Sequence, residues 1–272
     1  MFALNFATEP LWFPSCEDLN DPFEGMAYID RSGVNPALFQ QYREKFNKRH
    51  QGEKHPYLSD EELANGRFDF IRESFRNSAI FSASKAYQYD PQGDNHDHVL
   101  GSMALWGHYA DGLRGYCIEY NFHKIVQSLQ THNGDRSLNI GTSDVAYSSE
   151  MLPVLSIKTY VEDYLSGDTE RTFYELQTAF ATKFEDVWSC EQEARIFAPK
   201  KGEYKINPEC IKAVYLGEKM PDWKKQSIKA CLEAKGLDIC LREVCIDTSG
   251  KQYQLRITDY PKNELPTLPM TA

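Results

Sequence analysis

Apolar positions recur along this chain with two periods, one typical of helices and one typical of strands. After Ser59 and Glu62, which form a Ser-x-x-Glu capping box, Phe68, Ile71 and Phe75 follow at helical spacing. This spacing predicts a helix with one buried face. Further helices are predicted over residues 36–49, 99–110, 168–188 and 221–234.

The clearest of these predicted helices covers residues 168–188. Its apolar side chains are spaced three and four residues apart, so they share one face of a helix. We expect this stripe to pack in the core. Its members are Phe173, Leu176, Phe180, Phe184 and Val187.

Short strand-like segments alternate with the helices. They cover residues 11–13, 79–84, 114–120, 194–198, 211–216, 239–246 and 253–258. In the third, Tyr116, Ile118 and Tyr120 share one face, because successive side chains of a strand point to opposite sides. The mixture predicts one α+β domain over residues 1–260, with a mixed or antiparallel central sheet and helical insertions, and a loose tail at 261–272.

Composition narrows the class of protein. The chain has 272 residues, of which 41% are hydrophobic and 13% aromatic, which is enough for a substantial core. Its formal charge is −10, which argues against nonspecific wrapping of nucleic acid and leaves a local basic patch open. No apolar run approaches the ~20 residues that cross a bilayer. Seven cysteines without a Cys-x-x-Cys pair fit a reducing, cytoplasmic location.

Polar residues cluster where apolar segments end, and each cluster has a structural and a functional interpretation. Asn20 and Asp21, in the proline turn between Ser15 and Glu24, either stabilise their own loop or contact a ligand. Asp94, His96, Asp97 and His98 are interpreted as a polar loop, and no metal is predicted.

A second cluster surrounds two glycines at the end of a predicted helix. Its histidine, carboxylate and guanidinium either transfer protons and bind an anion, or cap the end of the helix. Both interpretations stay open. The residues are Trp106, His108, Tyr109, Asp111 and Arg114.

A third cluster lies in the segment Cys190-Glu191-Gln192-Glu193-Ala194-Arg195. If this segment is a strand, Glu191, Glu193 and Arg195 point to the same face. They then form either a solvated face with an internal ion pair or a site that stabilises a cationic sugar centre. Walker, Gly-x-Gly-x-x-Gly, Gly-x-Ser-x-Gly and His-Glu-x-x-His motifs are absent from the sequence.

Four ordered motifs resemble the bacterial family called domain of unknown function 2971. They are LWFPSCEDLNDPFE (residues 11–24), ALWGHYADGLRGYCIEY (104–120), WSCEQEARI (188–196) and IKAVYLG (211–217). Members usually have one more short strand before the first motif, and this chain shows no obvious copy of it. The family name specifies no activity.

A more distant resemblance is to ADP-ribosyltransferases. Glu191-Gln192-Glu193 resembles their Glu-x-Glu element, and Ser82-Ala83-Ser84 resembles their Ser-Thr-Ser element. The resemblance implies an ADP-ribosyltransferase-like fold with Glu193 catalytic, Ser82 and Ser84 orienting the nicotinamide ribose of NAD, and Glu191 facing the acceptor. The usual early Arg or His that holds the dinucleotide phosphates has no counterpart before Arg31.

The leading hypothesis is therefore an ADP-ribosyltransferase-like enzyme, a glycosyltransferase by class, that uses NAD to modify a macromolecule in bacterial stress or phage defence. An alternative is a noncatalytic sensor in which the cluster from His108 to Arg114 binds a small anionic ligand or nucleotide, with a protein partner from the same operon. A third is a metal-dependent nuclease that uses Asp21, Glu24, Asp111 or Glu193.

Overall fold

A computed structural model describes residues 10–50, 55, 57–85, 99–134, 140–149 and 151–260. The chain divides into two compact units. Unit 1 comprises Met1–Leu11, Ser84–Asn133 and Lys205–Ala272, and unit 2 comprises Trp12–Ala83 and Gly134–Tyr204. The prediction of one domain over residues 1–260 stays a prediction, and the tail predicted at 261–272 lies outside the described residues.

Helices and strands mix throughout, which confirms the α+β class. The helices are α1 (Pro36–Arg49), α2 (Asp60–Arg76), α3 (Met103–Tyr109), α4 (Phe122–His132), α5 (Ile157–Ser166), α6 (Glu170–Ala179), α7 (Glu185–Trp188) and α8 (Asp222–Ala234). The strands are β1 (Leu11–Phe13), β2 (Tyr28–Asp30), β3 (Ala79–Ser84), β4 (Tyr116–Tyr120), β5 (Gly141–Asp144), β6 (Ala146–Ser148), β7 (Val154–Ser156), β8 (Thr182–Phe184), β9 (Glu193–Ala198), β10 (Gly202–Tyr204), β11 (Ile211–Gly217), β12 (Cys240–Asp247) and β13 (Gln254–Asp259).

Unit 1 is built on a four-stranded sheet in the order β13-β12-β11-β4. Strand β11 runs parallel to β12 and antiparallel to β4, so the sheet is mixed. Alternation along β11 divides its side chains between two cores. Tyr215 packs in one core with Trp106, and Val214 packs in the other with Ile228 of α8.

Unit 2 gathers α1, α2, α5 and α6 around an aromatic core that includes Phe46, Phe68 and Phe180. Within it, the hydroxyls of Tyr42 and Tyr160 lie 2.7 Å apart and hydrogen-bond each other. Short strands accompany the helices: β3 and β5 flank β9, β2 pairs with β7, β6 with β8, and β1 with β10.

Capping chemistry places two helices where the sequence predicts them. Helix α1 has the predicted bounds, and Asn35 caps it by accepting a hydrogen bond from the Leu38 N–H. The predicted capping box is confirmed at α2, since Ser59 accepts from the Glu62 N–H and Glu62 accepts from the Ser59 N–H. Strands β1 and β3 also match their predicted bounds.

The prediction of one continuous helix over residues 168–188 is wrong. Helix α6 ends at Ala179, and Thr182–Phe184 then forms β8, which pairs in parallel with β6. Alternation in β8 turns Lys183 into the interior and Phe184 outward. Phe173, Phe184 and Val187 are accordingly exposed, whereas the other two members of the predicted stripe are buried.

The interior contacts of Lys183 account for this difference, because a buried ammonium needs carboxylate partners and finds two there. Tertiary ion pairing thus overrides the helical period of this segment.

Candidate functional site

Five ionisable side chains form a connected network inside unit 2. They are Glu24, Lys183, Glu191, Glu193 and Arg195, and each side chain is at most 7% exposed. Charged groups are seldom buried this completely unless they are paired. The network is therefore an unusual chemical feature of the described part of unit 2.

Arg195 forms one centre of this network. Its Nη2 donates to Oε2 of Glu24 at 2.9 Å and its Nη1 to the other oxygen, which makes the bidentate arrangement that suits a guanidinium. Its Nε donates to Oε2 of Glu193 at 3.0 Å, and Nη1 also donates to the Phe180 carbonyl at 2.7 Å. The guanidinium thus connects the loop after β1, the end of α6 and strand β9.

Lys183 forms the other centre. Its Nζ donates to Oε2 of Glu191 at 2.9 Å and also to Oε1 of Glu193. The same ammonium lies 4.6 Å from the centroid of the Trp188 ring, within cation–π distance. Glu193 therefore contacts both cations of the network.

A turn, rather than a strand, brings Glu191 to this place. Glu191 ends the 3-10 helix Ser189–Glu191, Gln192 follows with φ of +43°, and β9 begins only at Glu193. A left-handed backbone is uncommon for a residue with a side chain. The predicted convergence of the acidic doublet and Arg195 is found, but the same-face strand argument is wrong for Glu191.

The neighbouring groups shift the pKa values of Glu193 and Lys183 so that the charged form of each side chain is favoured. Burial would raise the pKa of Glu193, but Arg195, Glu191 and Lys183 lower it to about 2. Burial would lower the pKa of Lys183, and its carboxylate partners raise it instead. The hydroxyl of Tyr147 accepts a hydrogen bond from the Glu193 N–H, and burial raises its pKa to about 12. Glu193 is thus a carboxylate at neutral pH.

A pocket of about 290 Å³ opens beside the network, entirely within unit 2. Its lining residues are Phe23, Ser148, Met151, Leu152, Pro153, Thr182, Lys183 and Phe184. Four of these are large apolar side chains that are at least 41% exposed: Phe23, Met151, Leu152 and Phe184. Lys183 belongs both to the pocket wall and to the network, so the two features share a residue.

The other predicted site residues of unit 2 lie in several environments. Asp21 is buried, and its Oδ1 accepts a hydrogen bond from the Phe23 N–H at 2.9 Å, as expected for a self-stabilised loop. Asn20 is exposed. Ser82 is exposed on β3, whose neighbour in the sheet is β9. Ser84, which ends β3, is half-buried and is the first residue of the Ser84–Asn133 segment of unit 1.

The predicted histidine cluster belongs to unit 1. His108, Tyr109, Asp111 and Arg114 are exposed, and Arg114 Nη1 donates to the Asp111 carbonyl at 3.1 Å. Trp106 is instead buried, and its indole N–H donates to the Leu100 carbonyl at 2.9 Å. Trp106 therefore packs in the core of unit 1.

The turn that carries these exposed side chains is tightly constrained. Asp111, Gly112 and Leu113 have successive φ values of +48°, +60° and +70°. The Leu113 carbonyl oxygen lies only 2.2 Å from the place where a Cβ on Gly217 would stand. Any side chain at Gly217 would collide with this turn, so the end of β11 requires glycine.

The described part of the chain contains neither a metal-binding cluster of side chains nor a helix that could span a membrane. In those ranges, three or more His, Cys, Asp or Glu residues never gather in a way that could hold a metal ion. None of the helices described there is long and apolar enough to cross a bilayer. The residues Asp94, His96, Asp97 and His98 lie outside the described residues.

Sequence reasoning did not identify Lys183 or Phe184 as site residues, and it named Glu24 only in the proline-turn cluster and in the nuclease alternative, without its pairing to Arg195. The signal for Lys183 is the Thr-Lys-Phe alternation, which the longer helical period of the segment obscures. The Glu24–Arg195 pair joins residues 171 positions apart, and no local pattern reports such a contact.

Comparisons of the chain with family models, with curated proteins and with solved structures found no match. The resemblance to the domain of unknown function 2971 family and to ADP-ribosyltransferases stays a prediction from motifs.

Proposed function

We propose that this protein is a noncatalytic ligand-binding protein, whose pocket in unit 2 holds a small, uncharged, ring-sized apolar group. The observation that carries the proposal is an open pocket of about 290 Å³ walled largely by exposed apolar side chains. Exposed apolar surface of this kind marks binding sites more often than inert surface. The proposal retains the alternative of a noncatalytic sensor. It assigns the ligand to the pocket in unit 2 instead of the cluster from His108 to Arg114.

The charge of Lys183 does not make this pocket a site for anions. Its ammonium donates to Glu191 and Glu193 and lies over Trp188, so its hydrogens are directed into the network. An anion approaching Lys183 would also approach these two acidic side chains, which disfavours it. The pocket wall is therefore largely apolar, and the positive charge of Lys183 within it is compensated by Glu191 and Glu193. This combination favours an uncharged ligand.

Pocket size sets the size of the ligand. An apolar cavity of about 150 Å³ holds one benzene molecule. The pocket here is about 290 Å³, which suits a two-ring compound such as indole. A complete nucleotide would extend beyond it.

Ligand-observed NMR and calorimetry with indole test this function. We expect indole to bind, while indole-3-acetate and tryptamine, its anionic and cationic analogues, bind at least tenfold more weakly. Phe184→Ser removes an exposed wall residue and should weaken binding, whereas Tyr174→Ser, which alters an exposed residue of α6 that does not line the pocket, should not. Absence of indole binding to the wild-type protein would refute the function.

One observation favours the ADP-ribosyltransferase-like enzyme as a second candidate. Strand β3, with Ser82 and Ser84, lies directly beside β9, with Glu193, in the order β3-β9-β5. This adjacency supports the relation between the serine and glutamate elements that the resemblance implies. To contact the ribose of NAD, however, Glu193 must first release Lys183, since both are buried together.

Transfer of label from NAD to a macromolecular acceptor tests this candidate. The purified protein is incubated with labelled NAD and cell lysate, and transfer is compared between the wild type and Glu193→Gln. The enzyme hypothesis expects transfer that Glu193→Gln abolishes. No transfer and no NAD consumption by the wild type would exclude it.

A further inference from the structure

Three of the residues that line the pocket in unit 2 carry polar hydrogens on their side chains: Ser148, Thr182 and Lys183. The Ser148 hydroxyl donates to the Met151 carbonyl at 3.1 Å, and the Thr182 hydroxyl donates to the Thr178 carbonyl at 2.7 Å. The Lys183 ammonium donates to two carboxylates of the buried network. These three side chains therefore already donate to groups of the protein itself.

The two hydroxyls can still accept hydrogen bonds. A hydroxyl group has one hydrogen and two lone pairs. Because Ser148 and Thr182 each give that hydrogen to a backbone carbonyl, what each hydroxyl offers to a ligand is an acceptor. The ammonium of Lys183 has no lone pair and adds no acceptor. The polar side chains of the pocket wall thus suit a ligand that donates a hydrogen bond.

Strand pairing places both hydroxyls beside the ring of Phe184. Strands β6 and β8 run parallel, with Ala146 opposite Thr182 and Ser148 opposite Phe184. Side chains two residues apart on a strand share a face, and so do the side chains of residues that are opposite each other. Ser148, Thr182 and Phe184 therefore share one face of this two-stranded sheet, and all three line the pocket. An aromatic ligand that packs against Phe184 lies next to both hydroxyls.

We infer that the pocket selects uncharged aromatic ligands that donate a hydrogen bond, and that Ser148 and Thr182 determine this specificity. The inference rests on the proposed function, because it names the chemical class of ligand for the same pocket. An N–H group that enters an apolar pocket loses its hydrogen bond to water, which is unfavourable unless an acceptor replaces the water. The two hydroxyls supply that acceptor.

A ligand that only accepts hydrogen bonds gains less from the same wall. To donate to such a ligand, the Ser148 hydroxyl would have to release the Met151 carbonyl, and the Thr182 hydroxyl would have to release the Thr178 carbonyl. Each exchange replaces one hydrogen bond with another and leaves a backbone acceptor without its donor, which is costly where water is excluded. The wall therefore discriminates between a donor and an acceptor at the same position of a ring.

A comparison of indole with benzofuran on the wild-type chain tests the inference. Benzofuran has the same two fused rings with an oxygen atom in place of the N–H group, so the two uncharged compounds differ by one donor. Calorimetry at pH 7 should find indole bound about three- to tenfold more tightly, as a neutral hydrogen bond allows. A pocket without an acceptor would give the opposite order, because indole would lose its hydrogen bond to water. Benzofuran that binds as tightly as indole, or more tightly, overturns the inference.

Two substitutions assign the selectivity to its residues. The double variant Ser148→Ala with Thr182→Val removes both hydroxyls and keeps side chains of similar size. It should bind indole no more tightly than benzofuran, while its affinity for benzofuran stays at the wild-type value. Ser143→Ala is the matched control, because the Ser143 hydroxyl also donates to a backbone carbonyl, that of Asp144 at 3.0 Å, but Ser143 does not line the pocket. This control should leave both affinities unchanged.

Failure of the pocket and failure of its selectivity give different results. If neither compound binds the wild-type chain, the proposed function is refuted and the inference falls with it. If both compounds bind without a preference for indole, the pocket is retained and only the selectivity is overturned. A preference for indole that persists in the double variant overturns the assignment to Ser148 and Thr182. The wild-type comparison needs no variant, so it decides the selectivity even if the double variant does not fold.

Discussion

Replacing Arg195 with methionine measures how strongly unit 2 depends on its buried charges. The substitution keeps an apolar side chain of similar length but removes the guanidinium, which is 0% exposed. Glu24 and Glu193 then lose a cation while they stay buried, and the Phe180 carbonyl loses a donor. Removing one partner of a buried ion pair costs about 3–5 kcal/mol.

This loss is large on the scale of a domain. Folded domains are stable by about 5–15 kcal/mol, so we expect Arg195→Met to remove about a fifth or more of the stability of the unit. The exposed pair Arg31–Asp69, whose side chains are 43% and 39% exposed, provides the control. Arg31→Met should cost less than about 1 kcal/mol, because solvent screens exposed pairs.

Urea unfolding followed by circular dichroism compares these two variants at pH 7. A third variant, Glu24→Gln combined with Arg195→Met, removes one of the orphaned charges and should lose less stability than Arg195→Met alone. If Arg195→Met and Arg31→Met shift the midpoint equally, or if the double variant is the least stable, the reasoning about buried charge is refuted.

Two further predictions concern the loss of folding stability at acidic pH and the turn in unit 1. Because the pKa of Glu193 is lowered to about 2, its ionised form contributes stability above pH ~4.3 that is lost as the pH falls towards 2. Urea midpoints between pH 5 and pH 2 should therefore fall less steeply in Glu193→Gln than in the wild type, and equal slopes would contradict this. Gly217→Ala should lower the melting temperature by at least 5 °C, because its Cβ would stand 2.2 Å from the Leu113 carbonyl oxygen. Gly66→Ala, at an open helical position, should have no destabilising effect, and equal melting temperatures for the two variants would contradict the collision.

Sequence patterns predicted the elements whose signals are local. The Ser59–Glu62 capping box and the helical spacing of Phe68, Ile71 and Phe75 depend on residues only a few positions apart, so the sequence contains all that is needed. The prediction of one helix over residues 168–188 was wrong because tertiary contacts, which the helical pattern does not report, determine the secondary structure of that segment. Lys183 enters the interior to meet the acidic doublet, and the helical spacing of Phe180 and Phe184 does not report this demand.

The site shows the same division between local and distant signals. Convergence of the acidic doublet with Arg195 was predictable because the residues are neighbours in sequence. The pairing of Glu24 with Arg195 was not predictable, because the two residues are far apart in sequence. The pocket wall was not predictable either, because it combines residues of a loop, β6 and β8. Trp106 was predicted to bind a ligand, but its indole N–H donates to a backbone carbonyl within the core of unit 1.

Methyl NMR of the methionines tests the central claim most directly, because Met151 lines the pocket and is 77% exposed. Met103 and Met220, which belong to unit 1, serve as internal references. On titration with indole we predict a saturable shift of the Met151 methyl resonance, with the two reference resonances unchanged. An unchanged Met151 resonance at saturating indole, or equal shifts at all three methionines, would contradict the account.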